Sequence, residues 1–268
     1  MKAEELKSIV KEKYGKIALQ TDKDNSCCGD SSCCGTGVDY TVFSESYEKQ
    51  EGYNPDADMN LGCGIPTDYA GIKKGDHILD LGSGAGNDCF VARALVGESG
   101  YVTGLDMTEP MVLKARENCE KLKYNNVEFI QGDIEEMPFK EKQFDVVISN
   151  CVLNLVPDKS LAFSEIFRVL KPGGHFCVSD VVLKGTLSDK MVKDAEMYAG
   201  CVSGASKMTE YLKIIENSGF LNVKVHKQKE IILPDSLLSE YNDTNELNSY
   251  HAGETGIFSI TISATKPN

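Results

Sequence analysis

Basic residues are in short supply in this 268-residue chain: 28 Lys and Arg stand against 41 Asp and Glu, a formal net charge of −13. A field of that sign repels phosphate, and no Lys/Arg run gathers a local basic patch, so neither nucleic acid nor an anionic membrane is an expected partner. No apolar run is long enough to cross a bilayer, and no apolar segment of signal-peptide character stands near the N-terminus. A soluble, cytoplasmic protein is therefore expected. In that reducing compartment the ten cysteines read as working thiols or buried small residues, and a structural disulfide framework is not expected. There is no internal repeat. With 41% hydrophobic side chains, the length suits one full α/β core with an appended subdomain and requires no second full-sized domain.

What is present is organised around Asp80-Leu81-Gly82-Ser83-Gly84-Ala85-Gly86, where the apolar run His77-Ile78-Leu79 ends and a helix must begin. Alternate glycines let the backbone turn sharply and approach a ligand, and the following helix aims N–H groups at a site suited to a carboxylate. The dinucleotide fingerprint fails, because its third glycine would fall where Asn87 stands. Asp80 favours a cationic group and disfavours pyrophosphate, so a zwitterionic amino-acid moiety satisfies both the acid and the open amides. The stretch resembles the glycine motif of S-adenosyl-L-methionine (SAM) methyltransferases, and the resemblance implies SAM as the cofactor.

Around this loop, strands are expected over 77–81, 101–105, 127–130, 144–149 and 174–179. They alternate with helices over 87–95 and 109–122 and one ending at Lys171-Pro172-Gly173-Gly174, the pattern of a doubly wound parallel sheet. A helix over 188–199 follows, then one capped by Thr209 and stopped by Gly219, a strand over 223–226, and the alternating run Phe258 to Ser263 as final strand. A closing helix and a β-hairpin would complete a Rossmann-like methyltransferase sheet of seven mostly parallel strands, the last antiparallel. Residues 227–250 read as a small cap with no assigned place. Leu6, Ile9, Val10 and Tyr14 at helical spacing predict an amphipathic helix over 1–15, stopped by Gly15 and docked on its own domain. Asp106, twenty residues beyond Gly86 at the end of the second strand, can take the ribose hydroxyls. Asp133, ending the third, can accept from the adenine amine, with Met107 and Ile134 as apolar walls. The candidate cofactor-binding set is Asp80, Gly82, Ser83, Gly84, Gly86, Asp106, Met107, Asp133, Ile134 and Asn150.

The cysteines divide by context. Cys27, Cys28, Cys33 and Cys34 lie in a polar, Gly-rich loop over 21–39. Adjacent pairs strain shared tetrahedral ligation and lack the spacer of a zinc knuckle, so redox exchange or binding of a soft metalloid suits them better. Cys63, between Gly62 and Gly64, is expected on an accessible loop, and Cys201 in a glycine-bounded turn. Cys151 directly follows the fourth strand beside the cofactor pocket. Cys89, Cys119 and Cys177 read as buried small apolar residues.

Asn60-Leu61-Gly62-Cys63-Gly64, the run Asp80 to Cys89, the run Ser149 to Lys159 and Gly200-Cys201-Val202 together resemble the arsenite SAM-dependent methyltransferases, over about residues 1–215. The resemblance implies methyl transfer from SAM to trivalent arsenic (arsenite or methylarsenite, presented as a thiol conjugate) in arsenic detoxification. It makes Cys63, Cys151 and Cys201 the substrate thiolates, and the pair Cys27 and Cys28 or the pair Cys33 and Cys34 the early redox cysteines; the doubled Cys-Cys-Gly leaves that choice open. A thioredoxin or glutathione reductant is then the expected partner. The chain divides accordingly into 1–60, an N-terminal helix and cysteine-rich loop; 61–185, the SAM-binding core; and 186–268, an arsenic-site helix with the completion of the sheet and a small extension. Three thiolates with no nearby histidine suit soft arsenic better than zinc, and a free lone pair on arsenic needs no general base. Two rivals remain: a SAM-dependent C- or O-methyltransferase of a small metabolite such as a quinone precursor, with Asp180 or His175 as acid or base, and a non-catalytic thiol protein that sequesters or senses a soft metal.

Overall fold

The computed structural model describes residues 3–19, 45–186, 188, 190, 204–233, 238, 239, 242 and 244–268. Cys27, Cys28, Cys33, Cys34, Cys201 and nearly all of the helix expected over 188–199 lie outside the described residues.

Short apolar runs build the centre of one sheet. Strands β1 (His77–Leu81) and β4 (Phe144–Asn150) are buried along almost their whole length around the apolar runs Ile78-Leu79 and Val146-Val147-Ile148, as strands covered on both faces are. They pair in parallel with each other, β1 with β2 (Tyr101–Asp106), β2 with β3 (Val127–Gln131) and β4 with β5 (Leu170–Lys184). The final strand β8 (Gly256–Thr265) inserts between β5 and β7 (Leu221–Ile231), antiparallel to both, giving the order β3-β2-β1-β4-β5-β8-β7. The two-residue strand β6 (Ser206–Lys207) adds to β5 off this path. This is the expected mostly parallel, Rossmann-like sheet with its last strand antiparallel.

Alternate strand residues serve opposite layers. Ile78, Val102, Val146 and Cys177 pack against α2 (Asn87–Val96) and α3 (Glu109–Leu122) through Phe90 and Val112. Leu79, Val147 and Phe176 face Phe163 and Ile166 of α4 (Lys159–Val169) and Tyr211 and Ile215 of α5 (Met208–Asn217). Helix α1 (Ala3–Leu19) lies along α3, and α6 (Thr244–His251) precedes β8.

Several boundaries differ from expectation for local reasons. Helix α1 continues through Gly15 to Leu19: a lone glycine costs a helix only about 1 kcal/mol, and the helix is supported along its length by α3. Lys171-Pro172-Gly173-Gly174 lies inside β5, since α4 already ends at Val169. A register shift between Phe144 and Val146 admits Pro172 and the positive φ of Gly173, the usual accommodation of proline in a sheet. Thr209 does not cap α5; Lys207 leaves β6 and enters the helix directly. Residues 227–231 extend β7, and the antiparallel neighbours β7 and β8 are joined through α6 and form no tight hairpin. No helix among the described residues is long and apolar enough to cross a membrane.

Candidate active site

Because β1 has neighbours reached in opposite directions, β2 on one side and β4 on the other, a crevice opens at the carboxyl ends of the strands. A solvent-open cavity of ≈ 1090 Å³ occupies it. Its floor is the glycine loop. Gly82, Gly84 and Gly86 all have positive φ (68°, 51° and 101°), which side-chain-bearing residues rarely adopt. At Gly82 a Cβ would also lie 2.3 Å from Val152 Cγ2, so only glycine lets the loop pass beneath the segment after β4. The loop is pinned from below by Gly82 and Ser83 N–H groups donating to Leu105 O at 2.7 and 3.0 Å.

Of the expected cofactor residues, Gly82, Ser83, Gly84, Asp106, Met107, Asp133, Ile134 and Asn150 line the cavity. Asp80 and Gly86 are not on its wall. Asp80 is buried beneath the loop, accepts a bond from Cys89 Sγ at 3.2 Å, and is held well above the usual carboxylate range by burial and then by the neighbouring Asp88. Asp88, in the first turn of α2, is the acid that reaches the wall. Asp106 accepts from the N–H groups of Gly84 at 3.0 Å and Thr108 at 2.8 Å. Burial raises its pKa although those bonds oppose the shift. Asp133 receives Lys7 Nζ at 2.6 Å and the Glu135 N–H at 2.9 Å. Burial alone would raise it, but Lys7 and that N–H outweigh burial and hold it below the usual range. Lys7, Val10 and Tyr14 of α1 form part of the wall. In the sequence they read only as the two faces of an amphipathic helix.

Of the expected substrate thiols, Cys63 and Cys151 are among the described residues, and they share an apolar cluster with Val10 of α1. Cys151 follows β4 with φ 60°, 4% exposed and on the cavity wall; its N–H donates to Ser179 O at 2.8 Å. Cys63 is not on an accessible loop: it is 1% exposed and shares one apolar cluster with Cys151, Leu155, Val181 and Leu183. Its flanking glycines serve close approach. A Cβ on Gly62 would lie 2.5 Å from Asn150 Nδ2, and one on Gly64 2.6 Å from Ser179 Oγ. Asn150 fastens this loop, its Oδ1 accepting from Cys63 N–H at 3.0 Å and its Nδ2 approaching Gly64 O at 2.8 Å. Beyond the thiols, buried Asp180 accepts from Tyr211 Oη at 2.8 Å and its pKa is pushed up to about 6 by burial. Cys89, Cys119 and Cys177 are buried in α2, α3 and β5, and burial pushes the Cys177 thiol up to about 12. Among the described residues no group of three or more His, Cys, Asp or Glu could hold a metal ion.

Tyr47, Asn87 and Asp88 on the wall are not legible in the sequence as site residues. Only Asp88 carries a signal, as an acid in the first turn of the helix opened by the glycine loop. The chemistry of the wall fits SAM: the buried Ser83 Oγ and Asn87 Oδ1 have no partner among the described residues, and acids outnumber cations.

A Rossmann-like sheet with a glycine loop below a mixed acidic and apolar cleft defines a SAM-dependent methyltransferase, and a methyltransferase-domain model matches residues 72–219. The arsenite methyltransferase of Halobacterium salinarum is 38% identical over 98% of this chain and 67% of its own length. That of Aquipseudomonas alcaligenes is 34% identical over 85% of this chain and 65% of its own. A crystal structure of an arsenic(III) SAM methyltransferase from Chlamydomonas reinhardtii superposes with a TM-score of 0.66 at 36% identity, covering 77% of this chain and 68% of that one. The chain thus spans about two thirds of the length of these relatives, and it belongs to the arsenite methyltransferase family.

Proposed function

We propose that this chain transfers methyl groups from SAM to trivalent arsenic, arsenite and methylarsenite, held as thiolates by Cys63, Cys151 and Cys201, and that it does so in arsenic detoxification in the cytoplasm. The observation that carries the reading is the placement of Cys63 and Cys151 in one buried apolar cluster, with Cys151 on the wall of the cofactor cavity. Residues 61–185 would supply the cofactor machinery, and the flanking parts 1–60 and 186–268 would bring the redox loop and the third thiol.

In the cleft, the glycine loop and Asp106 bind and orient the cofactor, which when bound supplies an electrophilic methyl group on a sulfonium. Thiolates would hold arsenic with its lone pair unshared; that pair would form the arsenic–carbon bond as the sulfur–methyl bond breaks, its electrons returning to sulfur and S-adenosylhomocysteine leaving. No proton leaves the nucleophile, so no general base is needed. This agrees with a wall that presents no histidine among its described residues. Forming the bond raises arsenic by two oxidation levels. Two thiolates, Cys63 and one of Cys27, Cys28, Cys33 or Cys34, would return it to the trivalent state by giving two electrons and joining as a disulfide. A thioredoxin or glutathione system would then reduce that disulfide.

The quinone-type rival fits less well. Quinone-type relatives match less of this chain: the 2-phytyl-1,4-beta-naphthoquinone methyltransferase of Arabidopsis thaliana is 33% identical over 59% of it, and the demethylmenaquinone methyltransferase of Listeria welshimeri 37% identical over 41%. Both candidate bases lie off the cavity wall: Asp180 is fully buried against Tyr211, and His175 Nε2 faces Ala70 O. The test is incubation with SAM, a thiol and arsenite, followed by chromatographic detection of methylated arsenic. Absence of product with arsenite and methylarsenite alike would refute the reading.

A further inference from the structure

Donors run short where the thiol loop, β4 and α2 meet. Tyr47 Oη lies 2.7 Å from Asp88 Oδ1 and 3.0 Å from Gly64 O. Asn150 Nδ2 lies 2.8 Å from Tyr47 Oη, 2.8 Å from Gly64 O and 3.1 Å from Asp88 Oδ2. A phenol carries one hydrogen and a carboxamide two, so five contacts share three hydrogens. One residue away, the buried Asn87 Oδ1 has no partner among the described residues. The charges point the same way. Among the described residues the cavity wall carries Asp58, Asp88, Asp106 and Asp133 against one cation, Lys7, and Lys7 is bonded to Asp133 and Glu135. Among the described residues Asp88 therefore has only neutral donors, and burial pushes its pKa up to about 6.

A group with several N–H donors and a positive charge meets both deficits. The sulfonium of SAM has a charge and no hydrogens, whereas the ammonium of its methionyl part has both. We infer that Asp88, together with Asn87 Oδ1, receives the ammonium of the cofactor's amino-acid end, while Tyr47 is a positioning residue that holds the Asp88 carboxylate toward the cavity. The role assigned from sequence to Asp80, beneath the loop, passes to Asp88 on the wall. The inference rests on the cavity taking SAM and is independent of whether arsenic is the methyl acceptor.

The test is calorimetric titration with two neutral-sulfur ligands: S-adenosylhomocysteine, which keeps the ammonium, and 5′-methylthioadenosine, which lacks the amino-acid part. Asp88→Asn should weaken S-adenosylhomocysteine by about 10- to 100-fold, the range for losing a charge-assisted bond, and leave methylthioadenosine within about twofold. Methylthioadenosine binding also reports that the variant is folded. Asn87→Ala, which removes an acceptor with no partner among the described residues, should give the same one-sided loss to a smaller degree. Tyr47→Phe should also weaken S-adenosylhomocysteine alone. Unchanged S-adenosylhomocysteine affinity in both Asp88→Asn and Asn87→Ala, or equal loss of the two ligands, would overturn the assignment. Failure of the parent protein to bind S-adenosylhomocysteine would overturn the cofactor reading with it.

Discussion

Asp106 holds the protein together from a position on the cavity wall. Its oxygens already accept from Gly84 and Thr108 N–H groups, so it fixes the glycine loop as well as facing the expected ribose. Asp106→Ala should weaken SAM binding by about 2 to 4 kcal/mol, one to two charge-assisted hydrogen bonds; unchanged affinity by calorimetry would remove it from the pocket. Among the thiols, Cys151→Ser and Cys201→Ser should abolish arsenic methylation with SAM binding intact, whereas Cys119→Ser, in the interior of α3, should cost only packing. Full turnover by either of the first two would argue against thiolate-held substrate. If Cys151 and Cys201 retain arsenic after Cys63 leaves it, Cys63→Ser should lose activity on arsenite and keep part of it on methylarsenite. Parallel time courses with both substrates decide this, and equal losses would exclude that order. The sequence identifies these cysteines by their neighbours but not their exposure: the glycines beside Cys63 read as marks of an open loop, and close packing against Asn150 and Ser179 is what requires them.

At the scale of elements, local signals work where the local reason is sufficient. Asp158 caps α4 by accepting from Leu161 N–H at 3.0 Å, and Asp158→Ala should lower unfolding stability by about 0.5 to 2 kcal/mol. A urea midpoint shift at unchanged slope would measure it, and no shift would show that the cap is replaced by solvent. Helix α1 is the opposite case. Its periodicity predicts an amphipathic helix docked on its own domain, and it packs on α3. That its polar face also supplies Lys7 to Asp133 and Glu135 depends on residues 126 or more positions away, and no periodicity encodes such a pairing. Gly15 and Thr209 read as stop and cap but are neither, for a related reason: tertiary contacts at α3 and the pairing of β6 with β5 decide those boundaries.

For the molecule as a whole, burial of acids makes stability depend on pH. Asp180 is pushed up to about 6, first by burial, against the opposing effects of Tyr211, Lys159 and the Val181 and Asn154 N–H groups. A raised carboxylate binds its proton more tightly when folded, so its contribution is full below the unfolded value and is lost as pH rises through about 6. Asp180→Asn cannot ionise. Relative to the parent it should gain stability between about pH 5 and about pH 7.5, on the order of 1.4 kcal/mol for each tenfold difference in proton affinity between the folded and unfolded chain. Thermal melts of the cofactor-free protein at the two pH values measure this, and a difference that stays constant would show that Asp180 ionises freely. The sequence by itself determined the sheet, because apolar runs, glycine spacing and acids at strand ends are local and periodic and therefore survive in one dimension. Only the tertiary structure decided that Asp88 and not Asp80 faces the cavity, that Tyr47 and Asn150 tie the thiol loop to α2, and that α1 joins the cavity wall through Lys7, Val10 and Tyr14. Each of these depends on which side chains a twisted sheet brings within about 3 Å, the reach of a hydrogen bond, and that distance is set by packing between segments far apart in the chain.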